Sequence, residues 1–430
     1  MNPMSFVLWW ELPLLVIGFI SVVMGLGAML WPWSGASRFW AVRKTDVKSP
    51  DFLQALSHAI NTSITTGGKA TLLNNGEQFF PQLLDDLRGA KASINFTTYI
   101  WEYGTISTQV LNILTEKARQ GIQVRLLLDG FGSWGTPQKI FLPLIKAGGK
   151  MERFRTPKFG KLKYFHRRSH RRAIIIDGLI GYTGGMSISD KWQGNANQKH
   201  LWRDNMVRGT GPLATHIQSA FSQLWTATTG EVLVGDKYYP PHGNDGSELK
   251  SINLVSSPSV DAEPLPKFIW FSLTSAKKKI YITTPYLIPD RHIRKALSRA
   301  AKDGVDVKIL LPGDYIDSVL VHRATQHYYR GLLLNGVKIY EYQPCMLHTK
   351  SMVIDGVWSI VGSANLDSRS LTLNEENVIG ILDSQFAEDL EKTFGNDLKQ
   401  AKQIKFHQWI NRSWTQKAVE TFASRFARQF

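Results

Sequence analysis

Residues 169–178 read SHRRAIIIDG, and residues 347–356 read LHTKSMVIDG. In each, a histidine (His170, His348) is followed two positions on by a cation (Arg172, Lys350) and seven positions on by an aspartate (Asp177, Asp355). Six residues after each aspartate comes a glycine turn: GGMS, with Gly184, Gly185 and Ser187, or GSAN, with Gly362, Ser363 and Asn365. A chain that writes so long an arrangement twice contains a duplicated unit.

The flanks repeat as well. ASINFTTYIWE leads through TQVLNILTEKARQG to IQVRLLLDG, and KIYITTPYLIPD leads through HIRKALSRAAKDG to VDVKILLPG. Apolar residues three and four apart mark the middle segments as helices, and the short β-branched runs on either side mark buried strands. Strand, helix and strand, with glycine closing the helix, give βαβ units and a mixed or parallel sheet. GDKYYPPHGNDGSELKS has no period and separates the copies. The expected units are therefore 46–245 and 246–400, each a layered α/β/α sandwich.

At 430 residues and 43% hydrophobic, the chain has room for two domains with full cores. A formal charge of +16 points to an anionic partner, phospholipid headgroups or nucleic acid. The single cysteine, Cys345, excludes an intramolecular disulfide and a thiolate metal cluster, and reads as a buried apolar side chain.

From Leu12 to Trp31 twenty residues carry no charge, the length of one membrane-spanning helix. Trp9, Trp10, Trp31 and Trp33 lie at its two ends, and Arg38, Arg43, Lys44 and Lys48 follow it. Residues 1–45 thus read as a single-pass anchor in the inner (plasma) membrane, with the catalytic domain on the cytoplasmic side. A cleaved signal peptide, with SGAS after Trp33 as its cleavage site, is the competing reading, and the missing basic segment before the apolar run and the run's excess length argue against it. The basic-aromatic run RFRTPKFGKLKYFHRR is either a solvated loop or an attractor of anionic headgroups. In 401–430, apolar residues recur every four positions from Phe406 through Ile410, Trp414, Ala418, Phe422 and Phe426 to Phe430, with basic residues between. That pattern is an amphipathic helix, which either lies in the bilayer interface or docks on the catalytic domain.

On a strand, positions i and i+2 share a face, so each histidine stands beside its own cation. An imidazole can attack phosphorus or carry a proton at neutral pH, and a neighbouring cation stabilises the oxygens of a phosphoryl group in transit. Asp177 and Asp355 fall at odd offsets, which also fits a structural turn.

With both full copies and their flanks, the chain resembles the phospholipase D superfamily, and within it the bacterial cardiolipin synthases. The resemblance covers roughly 70–400 and rests on TTYIWE, LLLDGFGS, WRDNMVRGTGP, TTPYLIPD, HTKSMVIDG and GSANLDSRSLTLNEE. It implies His170 as the nucleophile forming a phosphohistidine and His348 as the general acid. Lys350, Asn365, Arg172 and Ser187 match the phosphate ligands. Asp177 and Asp355 complete the catalytic motif, and no metal or cofactor is implied. A carboxylate holds each histidine by its other ring nitrogen: Glu376 in LNEEN matches that position in the second copy, and Asp204 in WRDN is its counterpart in the first. The family has Lys where Arg172 stands and Asn where Ser187 stands.

The implied reaction passes the phosphatidyl group of one phosphatidylglycerol to another, releasing glycerol. A phospholipase D that hydrolyses lipid to phosphatidic acid, a nuclease and a silent lipid-binding scaffold are the alternatives. The expected partners are phospholipid substrates and the membrane, with no nucleic acid.

Overall fold

Hydrophobic runs written twice produce two large sheets, beside which the described residues form two short two-stranded ones. The computed structural model describes residues 16–18, 39–156, 168–243, 245–258 and 263–426. In the first repeat, seven strands lie in the order Ala70–Asn74, Asn205–Thr210, Ile180–Gly184, Ala173–Ile176, Ser93–Thr98, Gln123–Asp129 and Lys150–Phe154. The last three of these run parallel and the remaining pairings are antiparallel. Ser93–Thr98 is buried along its whole length, the signature of a central strand covered on both faces.

The second repeat has the same order in Lys250–Ser256, Glu376–Leu382, Trp358–Gly362, Ser351–Ile354, Lys279–Thr283, Asp306–Pro312 and Lys338–Tyr342. It carries one further strand at each edge, making nine. The helices fall where the periodicity put them. Thr105–Arg119 buries Ile106, Val110, Leu114 and Ala118, one stripe at four-residue spacing. Its two first amides are capped from a distance by Asp190, whereas Arg291–Lys302 is capped by the adjacent Asp290.

The two edge strands correct the expected boundaries. Ile64–Thr66 pairs antiparallel with Lys250–Ser256, and helix Pro50–Ile60 buries Phe52, Leu53 and Leu56 in the core of the second repeat. Residues 46–66 precede the first repeat in sequence and complete the second in space. At the other end, Ala401–Ile404 pairs with Lys338–Tyr342, so the second sheet extends past residue 400. Beyond it stand two helices, Phe406–Ile410 and Trp414–Phe426, where one was expected.

The long final helix docks on helix Val319–Leu334, with Ala423 packed against Val321 and Ala324. Arg412 lies over Trp409 and pairs with Glu420 through its two terminal guanidinium nitrogens, while Trp409 packs on Tyr329. The expected apolar stripe points the other way: Trp414 is 78% and Phe422 64% exposed. The apolar run Leu12–Trp31 lies outside the described residues except for 16–18. Among the described residues no helix is long and apolar enough to cross a membrane.

The repeats share a core of their own. Leu213, Ile217 and Phe221, on helix Pro212–Thr229 of the first repeat, meet Ile379, Ile381 and Phe386 of the second, all buried. At roughly 1.5–3 kcal/mol for each such side chain, this seam fixes the two sheets relative to one another. Buried ion pairs cross it as well, Arg171 to Glu375 at 3.1 Å and Arg203 to Asp397 at 3.0 Å.

Candidate active site

Each motif begins on a short bridge to the opposite repeat. Met346–Leu347 pairs in parallel with Trp202–Arg203, after which the His348 amide donates to the Arg203 carbonyl at 2.8 Å. Ser169 forms a parallel bridge with Glu375, and the His170 amide donates to the Glu375 carbonyl at 2.9 Å. The backbone thus carries each histidine onto the strand that presents the other repeat's carboxylate.

That exchange decides the pairing. His348 Nδ1 lies 2.6 Å from Asp204 Oδ2, and His170 Nδ1 lies 3.4 Å from Glu376 Oε1. Each imidazole is therefore held by the carboxylate of the opposite repeat. Asp204 is fixed in turn by Trp192 Nε1 at 3.1 Å and the Asn205 amide at 2.9 Å. Glu376 accepts from Ser363 Oγ and from Asn374 Nδ2 at 3.3 Å. The longer contact of His170 does not reach full hydrogen-bond geometry, a common state for a catalytic pair without substrate.

Gly185 explains why the first glycine turn keeps two glycines. A Cβ there would stand 2.2 Å from Asp204 Oδ1, so the carboxylate occupies the space a side chain would need. In the second repeat, Ser363 takes the equivalent place and contacts its carboxylate through a hydroxyl.

The cations lie beside the histidines as the strand spacing required. Arg172 Nη1 donates to the His170 carbonyl at 2.6 Å, and Lys350 Nζ donates to the His348 carbonyl. Arg172 Nε reaches Ser187 Oγ at 3.3 Å. Asn365 is buried, and its Oδ1 has no hydrogen-bond partner among the described residues, an acceptor that a protonated ligand or water would satisfy.

Burial governs the charges. It lowers both histidines to about 4; the opposing pull comes from Glu376 at His170 and from Asp204 at His348, where Lys350 adds to the lowering. Both rings are neutral at neutral pH. Burial likewise lowers Lys350 to about 7, Asp204 opposing it and Arg172 adding to it.

Asp177 and Asp355 stand apart from this centre, at the turns that their odd offsets also fitted. Each follows the strand at the end away from the histidine, in a left-handed turn with φ of 55° and 53°. The Asp177 carboxylate accepts the amides of Lys91, Ala92 and Ser93, and that of Asp355 accepts those of Lys277, Lys278 and Lys279. They clamp the start of the neighbouring strand. Cys345 is buried as expected, its thiol directed at the Ala196 carbonyl.

Three aromatic residues complete the site without having been singled out in the sequence. The Tyr99 ring lies 4.2 Å from the His170 ring, and Trp202 and Trp192 lie 4.9 and 5.5 Å from His348. Tyr99 was within reach of the repeat itself, since TTYIWE and TTPYLIPD both place a tyrosine just past the strand.

Two histidine-and-cation faces meet at the seam of a duplicated α/β fold, a candidate catalytic centre of the kind the phospholipase D resemblance implies. The family model described as the cardiolipin synthase, phospholipase D-like domain matches residues 83–225 and 271–398. The chain is 33% identical over 369 residues to a cardiolipin synthase of Halalkalibacterium halodurans, covering 85% of this chain and 73% of that one. It is 34% identical over 370 residues to a cardiolipin synthase of Staphylococcus aureus, covering 85% and 74%. In fold it is similar to the phosphatidylserine synthase of Haemophilus influenzae, with a TM-score of 0.68 at 14% identity, covering 88% of this chain and 97% of that one. The chain belongs to the cardiolipin synthase family of phospholipase D-like proteins. It is an enzyme, a phospholipid phosphatidyltransferase.

Proposed function

We propose that the chain passes the phosphatidyl group of one phosphatidylglycerol to a hydroxyl of another, through a phosphohistidine on His170. With Nδ1 of each ring turned to a carboxylate, Nε2 is the nitrogen left to react. His170 Nε2 attacks phosphorus, the bond from phosphorus to the glycerol oxygen breaks, and His348 gives that oxygen its proton. The acceptor hydroxyl then surrenders its proton to His348 and attacks phosphorus as the bond to His170 breaks. Arg172, Lys350, Asn365 and Ser187 hold the phosphate oxygens.

The observation that carries this reading is the crossed pairing, which gives two oriented histidines in one seam. A neutral imidazole, maintained by burial, is the form a nucleophile requires. His348 must be protonated to act as the acid, and an anionic substrate phosphate raises its proton affinity. Asp204 adds to that pull.

Membrane attachment belongs to the same proposal. Residues 1–45 supply a single-pass anchor with the catalytic domain on the cytoplasmic side, by the charge bias of the flanks. The exposed Trp414 and Val419, with Lys417 and Arg425 on the same helix, favour a second contact with an anionic surface.

The test uses the full chain reconstituted in vesicles with phosphatidylglycerol labelled in headgroup and acyl chain, against a His348→Ala control. Cardiolipin and glycerol in equal amounts are expected. Phosphatidic acid without cardiolipin makes water the acceptor and removes the transfer reading.

A further inference from the structure

The phospholipid substrate of the reading above, on which this inference rests, lies in a bilayer and reaches His170 only where the rim of the site meets that surface. Residues 130–150, GFGSWGTPQKIFLPLIKAGGK, start at that rim and carry three lysines and no acid.

The first turn of this stretch is fixed to the catalytic centre. Asp129 accepts the amides of Phe131 and Gly132 with one carboxylate oxygen, and with the other, at 2.7 Å, that of Ser169, next to His170. Gly132 sits where a side chain would strike the carbonyl and ring of Tyr99, and the Tyr99 ring lies 4.2 Å from that of His170. Thr136 Oγ1 donates to the Trp101 carbonyl, and Arg153 donates to the carbonyls of Ser133 at 2.7 Å and Thr136 at 2.5 Å.

This tied turn nevertheless holds Trp134 64% exposed, and Tyr103, two residues past Trp101, is 76% exposed. The apolar surface continues through Ile140 and Pro143, which line one groove with Tyr103 and Leu111, to the exposed Leu142 and Ile145. Lys139 and Lys146 stand exposed among them. Two acids beside this surface are neutralised, Glu116 by Arg119 and Glu102 by Lys191.

Tryptophan and tyrosine favour the level of lipid headgroups, leucine and isoleucine the acyl boundary beneath, and interspersed lysines the anionic phosphates. Interfaces between proteins are depleted of lysine, and a second copy of the chain carries the same charge of +16, so the surface fits a bilayer better than another molecule of this protein. We infer that Trp134, Tyr103, Leu142 and Ile145, with Lys139 and Lys146, form a bilayer-docking surface that sets the His170 side of the site against anionic lipid. It acts in addition to the anchor and the C-terminal helix.

The single cysteine is buried, so a cysteine placed on the surface is labelled selectively. Full-length Leu142→Cys and Leu179→Cys, each carrying a thiol-linked fluorophore, are reconstituted in phosphatidylglycerol vesicles containing nitroxide-labelled lipid. Leu179 is an exposed leucine just past the strand Ala173–Ile176, at the end away from His170. Nitroxide should quench the label at 142 several-fold more than that at 179. Quenching at 142 no greater than at 179 overturns the inference, as does a label at 142 shielded from both nitroxide and aqueous iodide, the mark of a protein seated there.

The double variant Lys139→Glu with Lys146→Glu should lower turnover of vesicle phosphatidylglycerol at least about tenfold and leave turnover of a water-soluble short-chain phosphatidylglycerol at the wild-type rate. Equal losses on the two substrates, or no loss on vesicles, overturn the assignment. Turnover counts every product, so a wild type that makes only phosphatidic acid removes the transfer reading while the docking comparison still decides this one.

Discussion

In the first repeat a long cation, Arg172, donates to a short partner, Ser187; in the second a shorter cation, Lys350, lines one pocket with a longer side chain, Asn365. The carboxylates differ in the same complementary way. Asp204 sits against Gly185, which leaves it space, and Glu376 sits against Ser363, which donates to it. The consequence falls on the opposite histidines. His348 is held at 2.6 Å with its side chain 9% exposed, and His170 at 3.4 Å with 15% exposed. One site thus contains a tightly oriented imidazole and a looser one. The looser ring is suited to move onto phosphorus and the tighter one to deliver a proton along a fixed line, which supports the order of roles proposed above.

The strongest way to break this comparison is to remove the rings. His170→Ala and His348→Ala should each lower transfer by roughly a thousandfold or more. In His348→Ala, intact-protein mass analysis should reveal a phosphatidyl adduct on His170. An adduct on His348 in the His170→Ala protein would reverse the assignment.

Next come the carboxylates. Asp204→Asn should lower kcat by about 10³-fold and Glu376→Gln by about 10²-fold, because the closer pair orients its ring more firmly. Imidazole NMR should show Asp204→Asn perturbing His348 and Glu376→Gln perturbing His170. Perturbation within the same repeat instead would refute the crossed pairing.

The cation exchange is subtler. Arg172→Lys should lower activity by about tenfold, since an ammonium cannot reach Ser187 and the phosphate as a guanidinium does. Adding Ser187→Asn, which rewrites the first repeat as the second, should restore activity to within about threefold of wild type. Effects that simply add would show the two positions to be uncoupled.

The smallest contrast concerns Asp177 and Asp355. Asp177→Asn and Asp355→Asn should each destabilise the fold by about 1–3 kcal/mol, through weakened acceptance of three amides. Denaturant unfolding measures this, and the folded fraction should keep its kcat. Loss of kcat at unchanged stability would return both residues to the reaction.

The duplication, the order of strands and helices and the histidine-cation faces were legible because they are local. Periodicity of two or 3.6 residues records which face is buried, and the pattern of Ala173–Ile176 repeats in Ser351–Ile354. The C-terminal stripe shows where that logic stops. Four-residue spacing identified an amphipathic helix, yet the face that docks carries Glu420 and Ala423 because the ion pair with Arg412 and the contact with Val321 lie on that side. Spacing marks a stripe and leaves open which surface covers it.

The sequence by itself determined that two equivalent units exist and that each contributes one histidine and one cation, while the resemblance to the family supplied Asp204 and Glu376 as the two candidate carboxylates. Only the tertiary structure decided that each carboxylate serves the other repeat's histidine and that residues 46–66 complete the second repeat. The physical reason is range. A side chain's chemistry and the face it occupies are set by its near neighbours in the chain, whereas its partner is set by how two sheets pack across a shared apolar seam.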